Sequence, residues 1–405
     1  MLKSDNLIVM ACILAAQAVG AVLCLNFLML TWTLDGNGLS VMTGRLPYWD
    51  FTNLWGGGRM ALQGHVGDLF EPDTYRAALR ALLSPRMLDQ EWSYPPSMLM
   101  IGVPLATLPI LPAYLLWTGL TLLGLYWAAR RLSLSRLDCV FVLLAPPVII
   151  DVMVGQNGAL TAALLLGGLI LAPKRPLVAG ILFGLLTLKP HLGLLVPFCL
   201  LASRNYRAIA SATATAACMV LITAMIFGWS IWRSFFEQTG PLMRGIMEAP
   251  YPQGYHANAM TFFTLSRSLG LDLHASYAIQ IAAAIAAIVA VLWLWQRRNA
   301  VDPAVRVALT GIMALCATPY GYTYDAVLLP VALVVLGSRQ IVAMPLLALA
   351  WVLPAFNHLM ILVLPSLGII PPALVAAAGI LTLWRRRRET AAADPVTASA
   401  APPVR

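Results

Sequence analysis

The feature that most limits what this chain can fold into is the spacing of its charges. Leu7 to Leu34, Pro96 to Ala129, Ala208 to Gly228, Leu273 to Gln296 and Gln340 to Trp384 contain no Asp, Glu, Lys or Arg. Apolar runs of eighteen residues or more are the signature of helices that cross a bilayer. Of the 405 residues, 60% are hydrophobic and 11% charged, where a soluble domain has roughly 45–50% and 25%. Mean hydropathy is +0.80. An ordinary water-soluble protein is excluded, and the chain reads as an all-α polytopic membrane protein.

The charges that remain fall into short basic clusters: Arg130, Arg131 and Arg136; Lys174 and Arg175; Arg204 and Arg207; Arg297 and Arg298; Arg385 to Arg388. Their regular recurrence between apolar runs gives the net charge of +9 a topological meaning, because cytoplasmic loops collect Lys and Arg. No basic-aromatic stripe suited to nucleic acid is present. The six cysteines lie in or beside apolar runs without metal-type spacing and read as small packing residues.

The positive-inside rule then orders the chain. A retained first span over 7–32 leads to an extracytoplasmic loop, 35–96, rich in acids, Gly, Pro, Trp and Tyr. Its stretches Thr52–Gln63 and Asp73–Leu83 mix apolar and polar positions at helical spacing, as in helices lying along a membrane surface. One long kinked span is expected over 97–129, then 138–154 and 158–172. The segment 177–202 is broken by Lys189-Pro190-His191 into two short arms, which are tolerated where protein rather than lipid surrounds them. After 207–228 comes a second large outer loop, 229–272, followed by spans at 274–296, 304–318, 323–336, 341–356 and 359–384. The reading is about twelve transmembrane helices in one integral domain, 1–388, with a disordered cytoplasmic tail, 389–405, and both termini inside the inner (plasma) membrane.

This map gathers the unusual polar groups at the extracytoplasmic ends: Asp50, Tyr94, Gln156, Asn157, Lys189, His191, His256, Asn258, Tyr320, Tyr324, Asp325, Asn357 and His358. Ionisable groups at membrane depth are costly and mark sites. Lys189, set between Leu188 and Pro190, needs an anion: a ligand phosphate, with His191 as a second donor, or one of the carboxylates Asp50 and Asp325. Each of these carboxylates stands in an aromatic-rich stretch, a setting that raises a carboxyl pKa and suits it to take a proton from a hydroxyl.

The residues Asp50 to Trp55, Leu69-Phe70, Tyr94-Pro95-Pro96, Pro104-Leu105, Leu108-Pro109, Gly155-Gln156-Asn157, Gly180, Leu188-Lys189-Pro190 and Thr318-Pro319-Tyr320 occur in an order and spacing that resembles glycosyltransferase family 87, over most of residues 45–335. The resemblance implies a C-type glycosyltransferase fold. It also implies transfer of a sugar, mannose or a related hexose, from a polyprenyl-phosphate carrier to a lipid or glycan acceptor on the extracytoplasmic face, with inversion. Asp50 then matches a catalytic or acceptor-orienting residue of the first outer loop and Lys189 suits the carrier phosphate. The base is left between Asp50 and Asp325, with His256 third. Gln156, Asn157, Tyr94, Asn258, Tyr320 and Tyr324 are the expected substrate-binding residues. No Asp-x-Asp motif is present, so the expectation is of no metal and no cofactor. The expected partners are membrane lipids, the carrier-linked sugar and its acceptor. Two other readings remain: a flippase for lipid-linked sugars, and a polymerase or ligase using a lipid diphosphate, with Arg45, Arg59, Arg233 and Arg244 as extra cations.

Overall fold

The computed structural model describes residues 4–297, 300–360 and 365–393. Among them every regular element is helical, and the extended pairings are two isolated bridges, Leu34 to Ser40 and Ala259 to Tyr322. The chain opens on α1 (Ser4–Trp32), then α2 (Trp49–Leu62) and α3 (Pro72–Leu82) within the polar segment. Next come α4 (Leu99–Ala106), α5 (Ile110–Arg131), α6 (Arg136–Leu143), α7 (Pro146–Val154) and α8 (Gly158–Leu171). Helices α9 (Pro176–Leu185) and α10 (Val196–Ala202) flank the break at Lys189, and α11 (Tyr206–Phe227) leads into α12 (Ser230–Ser234), α13 (Gly240–Glu248), α14 (Gly254–Asn258) and α15 (Phe262–Ser268). The remainder is α16 (Leu273–Gln296), α17 (Pro303–Ala317), α18 (Leu328–Ser338), α19 (Met344–Val352), α20 (Asn357–Met360) and α21 (Ile370–Ala393).

The helix starts are written locally. Asp272 accepts the N–H of Ala275, and Asp302 those of Ala304 and Val305, satisfying donors that have no partner inside the helix. Ser135 and Asp138 form a reciprocal capping box at α6. Pro146, Pro176 and Pro303 occupy first-turn positions, where a missing N–H costs nothing.

Length follows surroundings. Four helices, at Val9–Trp32, α5, α11 and α16, have the 22 to 24 apolar residues that a crossing needs, and a 22-residue helix rises about 33 Å. They keep large apolar side chains exposed, among them Leu14, Leu123, Met225 and Val289. The helices they surround are shorter. α8 has 14 residues and α17 has 15, and every residue of α17 after Pro303 is buried. A helix wrapped in protein need not match the lipid thickness. α8, α17 and α18 pack on one another and form the centre, with the long α5 lying against α8.

Three expected spans differ in detail. Residues 97–129 are two helices, not one kinked helix. Leu108, preceding a proline, is biased away from helical backbone, and Pro109 is extended with ψ 150°. The first part, α4, lies along α2 instead of continuing α5. The segment 138–154 is α6 and α7, bent by 55° before Pro146. The last helix starts at Ile370 rather than 359 and runs past Glu389 to Ala393; residues 394–405 of the expected tail lie outside the described residues.

The short helices of the polar segment form a second core, in which Phe51, Tyr75, Leu79, Trp92 and Leu99 are fully buried. Here α2 and α4 come so close that a Cβ on Gly58 would sit 2.2 Å from the Gly102 carbonyl oxygen. Gly58→Ala is expected to force the two helices apart and lower stability by about 1–3 kcal/mol, read as thermal unfolding in detergent. Gly119→Ala, on a face of α5 with nothing within 4 Å, should cause no loss; equal effects would refute the close-packing argument.

Candidate active site

At the Lys189 break the backbone leaves the helix, with φ −142° and ψ 73°, and the side chain turns into the protein. Its ammonium donates to Asp325 Oδ1 at 2.5 Å and to Asn157 Oδ1 at 3.1 Å, and lies 4.5 Å from the centre of the Tyr324 ring. The Asp325 side chain is fully buried and that of Lys189 is 11% exposed. Asp325 Oδ2 also accepts the N–H of Tyr322 at 3.0 Å. Of the anions weighed for Lys189, the resting partner is Asp325.

His191 stands beside this pair. Its Nε2 is 3.9 Å from Asp325 Oδ2, beyond hydrogen-bond range, and it is buried without a hydrogen-bond partner. Tyr320 lies next to it, ring centres 6.3 Å apart, and Tyr322 stacks on Tyr324 at 5.4 Å.

Asn157 begins α8, and what fixes it is a residue the sequence reading passed over. Asp151, buried at 2% exposure, accepts the N–H groups of Gly158 and Ala159 at 2.9 and 3.1 Å. It thereby caps α8 from the preceding helix. A Cβ on Gly158 would meet the Tyr324 carbonyl oxygen at 2.1 Å and Asp151 Oδ1 at 2.7 Å, so glycine lets α8 and the Asp325 segment touch. A single acid in the apolar run 140–154, seven residues before that glycine, was the available signal. Gln156 is held by its own carbonyl, which accepts from Trp117 Nε1 at 3.2 Å, and its Oε1 accepts the N–H of Asn157 at 2.9 Å.

Asp50 opens α2 and faces the same place from the polar segment. Its neighbours are anchored: Gln90 Nε2 donates to the Trp49 carbonyl at 2.9 Å, Asn53 Nδ2 to the Glu91 carbonyl at 3.2 Å, and the Tyr75 hydroxyl to Asn53 Oδ1 at 2.7 Å. The Tyr94 hydroxyl lies 3.5 Å from both the Asp50 carbonyl oxygen and Gln156 Oε1. The Asp50 side chain is half-buried and forms no ion pair among the described residues. Burial pushes its carboxyl up to about 7, against the opposing pull of Lys189, Arg45 and the Gln156 amide. Burial, with Asp50 adding to it, holds the Tyr94 phenol well above the usual tyrosine range, so Tyr94 stays a neutral donor.

The structure thus brings Asp50, Tyr94, Gln156, Asn157, Lys189, His191, Tyr320, Tyr324 and Asp325 to one place. It does not bring His256 there as a free base. His256 Nδ1 accepts the Gln253 N–H at 3.1 Å, and Nε2 is 3.2 Å from the Met247 carbonyl oxygen, which fixes Nε2 as the protonated nitrogen. The ring stacks on Tyr251, and with both nitrogens engaged in its own loop His256 has a local, structural role. Asn258 lies at the end of α14 between two carbonyls, of Ala257 and Ala259, that Asn357 clamps; Asn357 is a loop tie. The His358 side chain lies outside the described residues. No three His, Cys, Asp or Glu side chains converge on one point among the described residues.

Removing one partner of a buried pair strands the other, at about 3–5 kcal/mol. Lys189→Met and Asp325→Asn should therefore each lower thermal stability by that order, and the double variant should recover most of it. Additive losses in the double variant would show that the pair is not the coupling described.

No curated protein and no solved structure matches this chain. A family model does match, over residues 92–319, a range holding Tyr94, Asp151, Gln156, Asn157, Lys189 and His191, with Asp50 and Asp325 on either side. That range is more than half of the chain, and the description of the matching model is glycosyltransferase family 87: the chain belongs to that family and is a glycosyltransferase.

Proposed function

We propose that this protein moves a sugar, mannose or a related hexose, from a polyprenyl-phosphate carrier to a lipid or glycan acceptor at the extracytoplasmic face of the inner membrane, with Asp50 as the base. The observation that carries the reading is the contrast between the two carboxylates. Asp325 is buried, paired with Lys189 and bonded to the Tyr322 N–H, so its charge is spent. Asp50 has no ion-pair partner among the described residues and a carboxyl near 7, where a general base works best.

The reaction that fits is a single displacement. Asp50 takes the proton of the acceptor hydroxyl, the acceptor oxygen bonds to the anomeric carbon from the face opposite the carrier, and the bond to the carrier oxygen breaks with its electron pair leaving on phosphate. Lys189, with His191 Nε2 as a second donor, stands by the departing charge. Asn157, Gln156, Tyr94, Tyr320 and Tyr324 are suited to hold hydroxyls and ring faces. The outer-loop arginines support a monophosphate over a diphosphate donor, since three of the four are engaged elsewhere: Arg45 on the Asp89 carbonyl, Arg59 on the Ala106 carbonyl and Arg233 on Glu237.

The sidedness of this proposal rests on charge. Helices α5 and α8 have Trp117 and Asn157 toward the site, and end beside Arg130, Arg131, Lys174 and Arg175 at their other ends. With Lys and Arg kept cytoplasmic, Asp50 faces outward. A C-type fold of about twelve spans, counting the short helices enclosed by the long ones, agrees with this arrangement.

In proteoliposomes supplied with radiolabelled polyprenyl-phosphate mannose and a membrane-lipid extract, Asp50→Asn should lower the transfer rate by about 10²–10⁴-fold without loss of stability. The native rate should rise as pH increases through about 7 and level off above it, because only the ionised Asp50 accepts a proton. Full activity in Asp50→Asn, or a flat profile from pH 5 to 9, would remove Asp50 as the base. Movement of labelled carrier between leaflets with no transfer product would favour a flippase instead.

A further inference from the structure

Helices α5, α8, α17 and α18 carry the polar site at one end. At the other they enclose a cavity of about 550 Å³. Arg131 at the end of α5, Lys174 after α8, Asp302 and Arg306 at the start of α17, and Arg339 after α18 line it. α8 alone, with 14 residues, separates this cavity from Asn157 by about 21 Å, so the two sites are distinct.

Among the described residues that line it are four cations and one carboxylate, and the carboxylate is already engaged. Asp302 Oδ1 accepts the N–H groups of Ala304 and Val305 at 2.8 and 3.1 Å, and Oδ2 lies 3.5 Å from Arg339 Nε. Orienting a membrane protein asks only for cationic side chains in exposed loops. Here the exposed Arg131, Lys174 and Arg339 border a concave volume within the usual range for ligand pockets, and the fourth cation, Arg306, is 2% exposed. Two guanidinium groups are held in place by indole rings: Arg306 4.7 Å from the centre of Trp295 and Arg131 5.6 Å from that of Trp127. Such stacking orients a planar cation before any anion arrives and reduces the entropy lost when one binds.

We propose that this cavity binds a phosphate group, with Arg131, Lys174, Arg306 and Arg339 as its donors. Tetrahedral phosphate oxygens suit forked guanidinium donors. The same chemistry is offered by the headgroup of an anionic phospholipid, as in basic pockets between helices near the cytoplasmic surface, and by a soluble phosphate. The inference stands apart from the transferase reading, since neither the residues nor the measurement below involves sugar transfer.

The test uses the purified full-length protein in detergent, with thermal unfolding and native mass spectrometry as readouts. Three probes are compared: dioleoylphosphatidylglycerol, dioleoylphosphatidylcholine and inorganic phosphate. The variant is Arg131→Ser with Lys174→Ser, both exposed in the native chain and so spared a folding defect. The companion Arg131→Lys with Lys174→Arg keeps both charges. The expected result is retention and stabilisation by the anionic lipid over the zwitterionic one, weakened about tenfold or more in the Ser variant, as loss of charge-assisted contacts predicts, and largely restored in the charge-keeping variant. Stabilisation by inorganic phosphate alone, lost in the Ser variant, would support the site and identify the ligand source as soluble. Equal binding of the two lipids, with no response to phosphate, or equal binding by native and Ser proteins, would overturn the proposal.

Discussion

The ion pair between Lys189 and Asp325 joins segments 136 residues apart and ties together most of what surrounds it. The lysine comes from the break between α9 and α10, the aspartate from the turn that starts α18, and Asn157, the third member, from the start of α8. Three segments of different origin are thereby held at one level of the bundle. Desolvating such a pair costs several kcal/mol per ion, so it is poor value as cement. What offsets that cost is the number of bonds around it: Lys189 has Asp325, Asn157 and the face of Tyr324, and Asp325 has Lys189 and the Tyr322 N–H. The arrangement holds an ammonium in place beside the proposed reacting centre.

That pair depends in turn on the difference between inner and outer helices. A lysine on a helix that met lipid would have to reach for the interface. Here α9 stops at Leu185 and α10 starts only at Val196, and the stretch between them, two short 3₁₀ turns joined at Lys189, is packed against α8 and α17. The long helices α1, α5, α11 and α16 supply the lipid-facing wall, and their unbroken apolar surfaces permit irregular backbone inside. Asp151 belongs to the same logic: a carboxylate buried near a helix start answers two N–H donors that have no other partner.

How much of this was legible depends on whether a feature is local. The apolar runs, the break at Lys189-Pro190, and the two loop helices near Thr52–Gln63 and Asp73–Leu83 were readable because each is written in adjacent residues. The demand of Lys189 for an anion was readable too, from Leu188 and Pro190 alone. Which anion answers it was not, because Asp325 is remote in sequence and pairs through the tertiary fold. The division of 97–129 was missed because the apolar pattern continues through Leu108-Pro109 while α4 turns to pack on α2. His256 resembled a candidate base by its place in an outer loop, but its two nitrogens are taken by backbone groups of Gln253 and Met247, a detail of loop geometry no spacing rule conveys. Asp151 was overlooked because a lone acid in an apolar run reads as a span with a blemish until its helix-capping partners are known.

The two carboxylates near Lys189 then acquire different parts for one physical reason. A single ammonium fully neutralises only the carboxylate it touches, and Asp325 touches it at 2.5 Å. Asp50 receives the remainder of that field, along with Arg45 and the Gln156 amide, and burial outweighs them. One acid is therefore bound to the lysine while the carboxyl of the other stays near 7 and able to exchange a proton. Exchanging the roles would require moving Lys189 away from Asp325, which would strand a buried carboxylate and release Asn157 from the lysine. Under the proposed reaction the same geometry sets the order of events. The carrier phosphate brings a new negative charge to Lys189 and His191, and that charge disfavours a second anion nearby; proton transfer to Asp50 as the acceptor attacks removes one just as the leaving phosphate gains another. Under that proposal, with Asp50 as base and Asp325 kept as partner to the lysine, the negative charge lost at Asp50 offsets the one gained by the leaving phosphate.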